Sequence, residues 1–297
     1  MNDVLTSSPP AAGPGWTARA RRTRPAARGW QRIALVAAAL IVLFMGFVLP
    51  LALLAPQSLN DGDGFSPAAY AKFFTHHLYL DIIVSTAKIA GWTAVLSVLV
   101  GYPYALWVNR LGPRMRVIAV IAVVLPFWVS ILVRTYSWTI VLGKQGLVNE
   151  ALAKIGLIDQ PLELLYTDTG VLIGTVNILA PFFILPMIAT MRAIDDRLVL
   201  AARSLGATPF QAFWRVYFPM TVPTLVSSAF LVFVLGFGFY VTPAILGGGR
   251  VQMLATLLAY LVNTSPDWAL AAAISVLLLA TTALVGIVSK LVRKDSW

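Results

Sequence analysis

Residues 201–219 read AARSLGATPFQAFWRVYFP. They lie between two apolar runs, each long enough to cross a membrane. The stretch is too polar to span a bilayer and too helix-like for a plain hairpin loop. Just before it, Asp195 is placed to cap a short helix, with Asp196 in the first turn where a carboxylate suits the helix dipole. Leu198, Ala201, Ala202 and Leu205 share one face at helical spacing, and Gly206 stops the helix. Thr208 then stands as N-cap, Pro209 as first helical residue and Gln211 as capping-box partner. This second helix carries Phe210, Phe213, Trp214 and Tyr217, and Pro219 is expected to close it. The piece therefore offers one small face and one aromatic face. Two readings fit: an amphipathic helix lying on lipid, or a dock for a protein, because small residues permit close approach and aromatic ones fill pockets. The two caps and the Ala201–Ala202 face favour the protein.

Working outward, the 297 residues are 59% hydrophobic and 11% charged. Soluble domains carry about a quarter charged residues, so this is an integral membrane protein. Six apolar segments of spanning length follow one another, near 33–55, 83–108, 117–141, 169–191, 219–241 and 269–291. The expected fold is an all-α polytopic membrane protein with six transmembrane helices. Residues 1–28, rich in Pro, Ala and Arg, are expected to be a disordered basic tail rather than a signal peptide. Residues 29–297 form the transmembrane domain, with the short two-helix piece at about 195–219.

Charge sets the orientation. Sixteen Lys and Arg residues and four Asp fall in the tail, residues 109–116, residues 192–218 and the C-terminus. The other loops hold four basic and eight acidic residues. Both termini and residues 192–218 are thus expected to be cytoplasmic. Two outer loops have character of their own. Residues 147–155 have the spacing of a short amphipathic helix, and TPAILGGGR (242–250) carries a Pro and three glycines that break a helix. The glycines alone also suit a plain turn.

Several chemistries are absent. There is no cysteine, no HExxH and no GxxxxGK[ST] loop, and the two histidines, His76 and His77, are adjacent in an expected loop. No metal site, no cofactor site, no ATP site of its own and no enzymatic centre is expected, and the basic charge needs no nucleic acid. No carboxylate lies inside a span; the intramembrane charges are Lys88 and Arg134, both near enough to the outer interface to snorkel. Trp128, Tyr136, Trp138 and Tyr240 offer aromatic faces to a passing cation, and Asn177 a polar group, although such residues also collect in interfacial belts. Without an internal coupling carboxylate, an ion-driven secondary transporter is the weaker alternative.

The order Ala201-Ala202-x-x-x-Gly206, then Val216-x-Phe218-Pro219, resembles the EAA loop of ATP-binding-cassette importer permeases. Leu200 stands where that loop begins with Glu. LPFWVSILVRTYSWTIVLGKQGLVN (125–149), NILAPFFILPM (177–187) and the text from TPAILGGG to NTSPDWALAAAIS (242–275) are similar to the spermidine/putrescine branch. Branches for ferric iron, opines and amino-acid-like solutes share much of it. The resemblance implies a type I importer permease fold in the bacterial inner membrane. It implies coupling to a dimer of cytoplasmic ATP-binding subunits through Ala201, Ala202, Gly206, Phe210 and Pro219. It also implies a second permease, a sister chain, and a periplasmic substrate-binding protein that carries much of the specificity. Arg134 occupies a place where the similar permeases also have Arg, which points to a structural role.

Overall fold

The computed structural model describes residues 27–60 and 64–294; the expected tail, residues 1–28, lies almost wholly outside them. Residues up to Leu51 form one compact unit and residues from Ala52 a second.

In the first unit, α1 (Ala27–Leu43) runs into a π turn (Phe44–Val48) and on into the start of α2 (Leu49–Gln57). The turn has a local cause. Pro50 brings no N–H and a ring that crowds the preceding turn. The chain widens just before it, and Leu49 N–H donates to Phe44 O, five residues back.

The second unit is built on three helices packed together: α4 (His77–Arg110), α8 (Asp168–Ala193) and α11 (Phe218–Phe237). Between and around them, in chain order, lie α3 (Ala68–Thr75), α5 (Pro113–Val124), α6 (Ile131–Leu142), α7 (Leu147–Lys154), α9 (Asp196–Ser204) and α10 (Pro209–Ala212). After α11 come α12 (Val241–Leu246), α13 (Leu254–Asn263) and α14 (Trp268–Lys294). The expected amphipathic helix at 147–155 is α7. His76 stays in the break after α3, but His77 opens α4 rather than lying in a loop.

The packing of α4 against α8 is the most extensive in the chain. Phe183, Met187 and Ile178 of α8 fill the space between Ala105 and Val108 of α4 and Val232 of α11. A second apolar cluster ties Phe73, Ile82, Phe237, Leu257 and Ile274 together across α3, α4, α11, α13 and α14. Small residues permit this closeness, which matters because lipid supplies no hydrophobic force between helices. A Cβ at Gly101 would stand 2.6 Å from Phe183 Cδ1 and 3.0 Å from Ile184 Cγ1. Hydroxyls bridge the helices: Tyr102 to Thr221 at 3.1 Å, and Thr190 to Thr224 at 2.8 Å. Thr86 Oγ1 accepts from Leu254 N at 2.9 Å, joining α4 to the start of α13.

Among the described residues, four helices are long and apolar enough to cross a membrane, or five if the one bent pair is a single span. The expected span at 117–141 is bent: Pro113–Trp128 and Ile131–Lys154 meet at 100°. Pro126 tightens residues 125–128 into a 3-10 turn, and Val129 and Ser130 are extended before α6 begins. Proline both removes an amide and disfavours helical backbone before it. The sixth expected span corresponds to α14.

The basic loops converge on one end of the unit. There Asn109 Nδ2 donates to Tyr217 Oη at 3.3 Å, joining the end of α4 to the turn before α11. The opposite end carries ion pairs: Lys72–Asp267 at 2.8 Å, Lys88–Asp168 at 3.3 Å and Lys144–Glu163 at 2.6 Å. Lys88, an intramembrane charge by sequence, is thus answered by the first residue of α8.

Two predictions follow from this packing. Gly101→Val should lower the unfolding free energy by about 1–3 kcal/mol, read as a fall in melting temperature in detergent. Burial raises the Asp267 carboxyl, but its bonds to Lys72 and to Leu270 N–H and the charge of Lys72 outweigh that and hold it below its ordinary value. A depressed carboxyl contributes stability above its ordinary value and loses it as pH falls through the folded one. Acid should therefore loosen the α3–α14 contact, and the Asp267→Asn protein should lose less melting temperature than wild type between about pH 6 and pH 3.

Candidate functional site

The two-helix piece forms as its residues dictate. Asp195 Oδ1 accepts from Arg197 N at 2.9 Å, capping α9. Gly206 ends it with φ +90°, while Gly206 N donates to Arg203 O and Ala207 N to Ala202 O, a Schellman closure. Thr208 and Gln211 then exchange both bonds of a capping box, at 3.0 and 3.3 Å. No atom lies within 4 Å of a Cβ built on Gly206, so its positive φ alone requires glycine.

Pro219 does not close the second helix. Phe213–Tyr217 form a π turn, Phe218 N–H donates to Phe213 O, and the helix continues unbroken to Phe237. The residue that lacks an amide follows directly on a widened turn, as at Pro50. FWRVYFP (213–219) and FMGFVLP (44–50) share this construction, with Phe at the first and Pro at the seventh place. That shared spacing was the sequence signal for it.

The surface of the piece divides in two. Ala212 is buried and Ala202 half-buried, turned towards the body of the unit. Ala201 is exposed, and so are Leu198, Leu200, Leu205 and Phe210, with Leu205 89% and Phe210 71% accessible. Four large apolar side chains thus stand exposed on a short polar segment, with the Phe210 ring 6.1 Å from that of Trp214. Trp214 lies across Phe218, 4.7 Å between ring centroids, and Phe213 stacks on Tyr217, so these aromatics brace the helix from within.

The five path candidates do not gather at one point. Trp138 Nε1 donates to Asn177 Oδ1 at 3.3 Å, which joins α6 to α8. Trp128, 87% accessible, lines a groove of about 580 Å³ with Phe127, Phe182, Leu235 and Phe239. Tyr240 lines a separate hollow of about 520 Å³ with Tyr79, Tyr260, Gln252 and Asn263. Tyr136 is exposed and lines neither.

Arg134 has a structural task at the bend. Its Nη2 donates to Pro126 O, and to Val129 O at 3.2 Å, the carbonyls released where the helix breaks. Its guanidinium stands 6.0 Å from the Phe127 ring. The glycine-rich segment is also held rather than loose. Tyr166, at φ 62°, donates its N–H to Leu246 O at 2.9 Å and lays its ring where any Cβ on Gly248 would have to stand. Helix α13 had not been expected; its sign is Thr256, whose Oγ1 accepts the Met253 N–H at 2.8 Å and caps the apolar decamer.

Residues 15–294 match the family described as binding-protein-dependent transport system inner membrane component. The chain belongs to that family. It is therefore a multi-pass inner-membrane permease subunit, a transport component rather than an enzyme. It is 33% identical over 207 residues to the spermidine/putrescine transport system permease protein PotB of Haemophilus influenzae, covering 70% of this chain and 72% of that one. To the ferric transport system permease protein FbpB of Actinobacillus pleuropneumoniae it is 24% identical over 250 residues, 84% of this chain and 36% of that one. Its fold is similar to that of a bacterial alginate ABC transporter crystallised with an alginate pentasaccharide-bound periplasmic protein. The TM-score is 0.70 at 19% identity, covering 89% of this chain and 93% of that one.

Removing the clamp at the bend should cost stability and not selectivity. Arg134→Gln is expected to lose about 2 kcal/mol, from charged hydrogen bonds to carbonyls, measured as a lower melting temperature. A changed profile of transported solutes in that variant would contradict the assignment.

Proposed function

We propose that this permease works in an ATP-driven importer for a polyamine, with ATP hydrolysed on separate cytoplasmic subunits that dock on residues 195–219. The observation that carries the reading is the exposed apolar set Leu198, Leu200, Leu205 and Phe210 on a doubly capped segment at the basic end. Apolar side chains held on a stiff, polar-backed support are the anchors a protein groove recognises. Leu200 puts a methyl-rich group where the similar loops have Glu, so its contact with the ATPase is packing rather than an ion pair. By the charge asymmetry, both termini and this loop face the cytoplasm. The second permease is a sister chain, and a periplasmic protein delivers the solute, as the alginate structure's own partner suggests.

The polyamine assignment rests on the relatives: 33% identity to a spermidine/putrescine permease against 24% to a ferric one. The chain's own residues are compatible with it. A multivalent amine can be passed along aromatic faces and amide oxygens such as Trp138, Asn177 and Tyr240 without a fixed carboxylate to trap it. ATP need only favour the outward-facing arrangement by a few kcal/mol, delivered through the docked loop.

The test is uptake of labelled spermidine, putrescine and ferric iron by cells carrying the whole transporter, with co-purification of its chains. Ala201→Glu puts a charge at the centre of the exposed face without disturbing the buried side. It is expected to lose the ATPase subunit from the purified complex and at least about tenfold of spermidine uptake, by analogy with a central interface charge. Normal uptake at normal membrane levels would return the loop to a membrane-surface helix. Uptake of iron and not of polyamine would leave the docking intact and replace the solute.

A further inference from the structure

A hollow at the basic end lies apart from both the docking face and the path residues. It has a volume of about 330 Å³ and is lined by Pro113, Arg116, Val117, Val120, Ile121 and Arg192. Its walls divide by chemistry. Val117, Val120 and Ile121 climb one side of α5, with Val117 and Ile121 exposed. Two guanidinium groups stand with them, and no carboxylate lines the hollow.

The two arginines are differently held. Arg116 is pinned where α4 ends: Nη2 donates to Asn109 O at 3.0 Å and Leu111 O at 2.8 Å, and Nε to Val108 O at 3.4 Å. Its charge has no ion-pair partner among the described residues. Arg192, in the last turn of α8, is exposed and makes no ion pair among those found in the described residues. The hollow also borders the start of α5, where Gly112 provides no side-chain cap for the first-turn amides. Such an end attracts anions.

We infer that this hollow is a binding site for an anionic phospholipid. The phosphate sits between Arg192, Arg116 and the amide end of α5, and an acyl chain lies along Val117, Val120 and Ile121. Charge complementarity selects an anion, and the apolar wall leading away from the arginines selects one that carries a hydrocarbon chain. Basic recesses beside membrane-spanning helices hold lipid headgroups in this manner. A free phosphate would use the arginines and leave the valine wall bare.

The full-length chain, purified in mild detergent and stripped of lipid, tests this by native mass spectrometry. It is titrated with phosphatidylglycerol, with phosphatidylcholine of the same acyl chains, and with inorganic phosphate. One phosphatidylglycerol is expected to bind saturably, phosphatidylcholine to bind much more weakly, and phosphate not to displace the lipid. Arg192→Ala should weaken phosphatidylglycerol binding roughly fivefold, the value of one arginine near an anionic surface. Arg192→Lys should stay close to wild type. Val117→Trp, which fills the hollow and leaves both arginines, should also lose the lipid. Unchanged binding in both Arg192→Ala and Val117→Trp would overturn the site, as would equal binding of phosphatidylcholine. Displacement by phosphate would overturn the lipid as ligand, and so would a photo-crosslink from position 121 to a protein subunit of the assembled transporter. Loss of ATPase docking tests a different surface, so the two readings fail separately.

Discussion

No backbone amide or carbonyl can be left without a partner in hydrocarbon. Three of the chain's prolines show how it meets that condition. Pro126 opens the helix that follows α5, and Arg134 returns to bond the carbonyls of residues 126 and 129. Pro219 and Pro50 each lack an amide, and each is preceded by a turn of π width that lets the helix run on. Thr86, buried in α4, accepts the first amide of α13. The breaks differ in outcome: one becomes a right-angled bend and the others barely interrupt a rod. What separates them is whether residues after the proline return to helical angles at once or pass through an extended pair such as Val129 and Ser130.

With these accounts settled locally, α4, α8 and α11 pack on small residues. Gly101 lets Phe183 lie against α4, and the hydroxyl pairs Tyr102–Thr221 and Thr190–Thr224 fix α11 to its two neighbours. Polarity is then pushed to the ends. Among the described residues, one end has arginines with backbone partners or none, the other has lysines matched to carboxylates. The proposed dock and the proposed lipid site share the first end for that reason: uncompensated positive charge and exposed apolar side chains coincide there.

Much of this was legible in the residues. The capped pair at 195–212 was written in Asp195, Gly206, Thr208 and Gln211, because caps and turns act through neighbours in sequence. The apolar lengths marked α4, α8 and α11, and the spacing at 147–155 marked α7. What was not legible depended on geometry in three dimensions. A run of apolar residues from 117 to 141 has no periodic sign of a bend, and Pro126 alone permits either a kink or a continuous helix. Pro219 looked like a stop because proline commonly ends a helix, and only the Phe-to-Pro spacing shared with residues 44–50 marks the wide turn that carries the helix on. The pairing of Trp138 with Asn177, and of Lys88 with Asp168, joins residues 39 and 80 apart. Periodicity could place each of these on its helix but could not join them.

The unbroken helix from Pro209 to Phe237 has a mechanical consequence. Its 29 residues make a rod of roughly 43 Å. The end that bears Phe210 is exposed, while Val232 and Phe237 at the far end are buried in the core. Tyr217, between them, is held to Asn109. A rod so held needs no relay of side chains: a push on its exposed end is carried to Val232 and Phe237 as a shift of the whole helix against α4 and α8, and stiffness sets how faithfully.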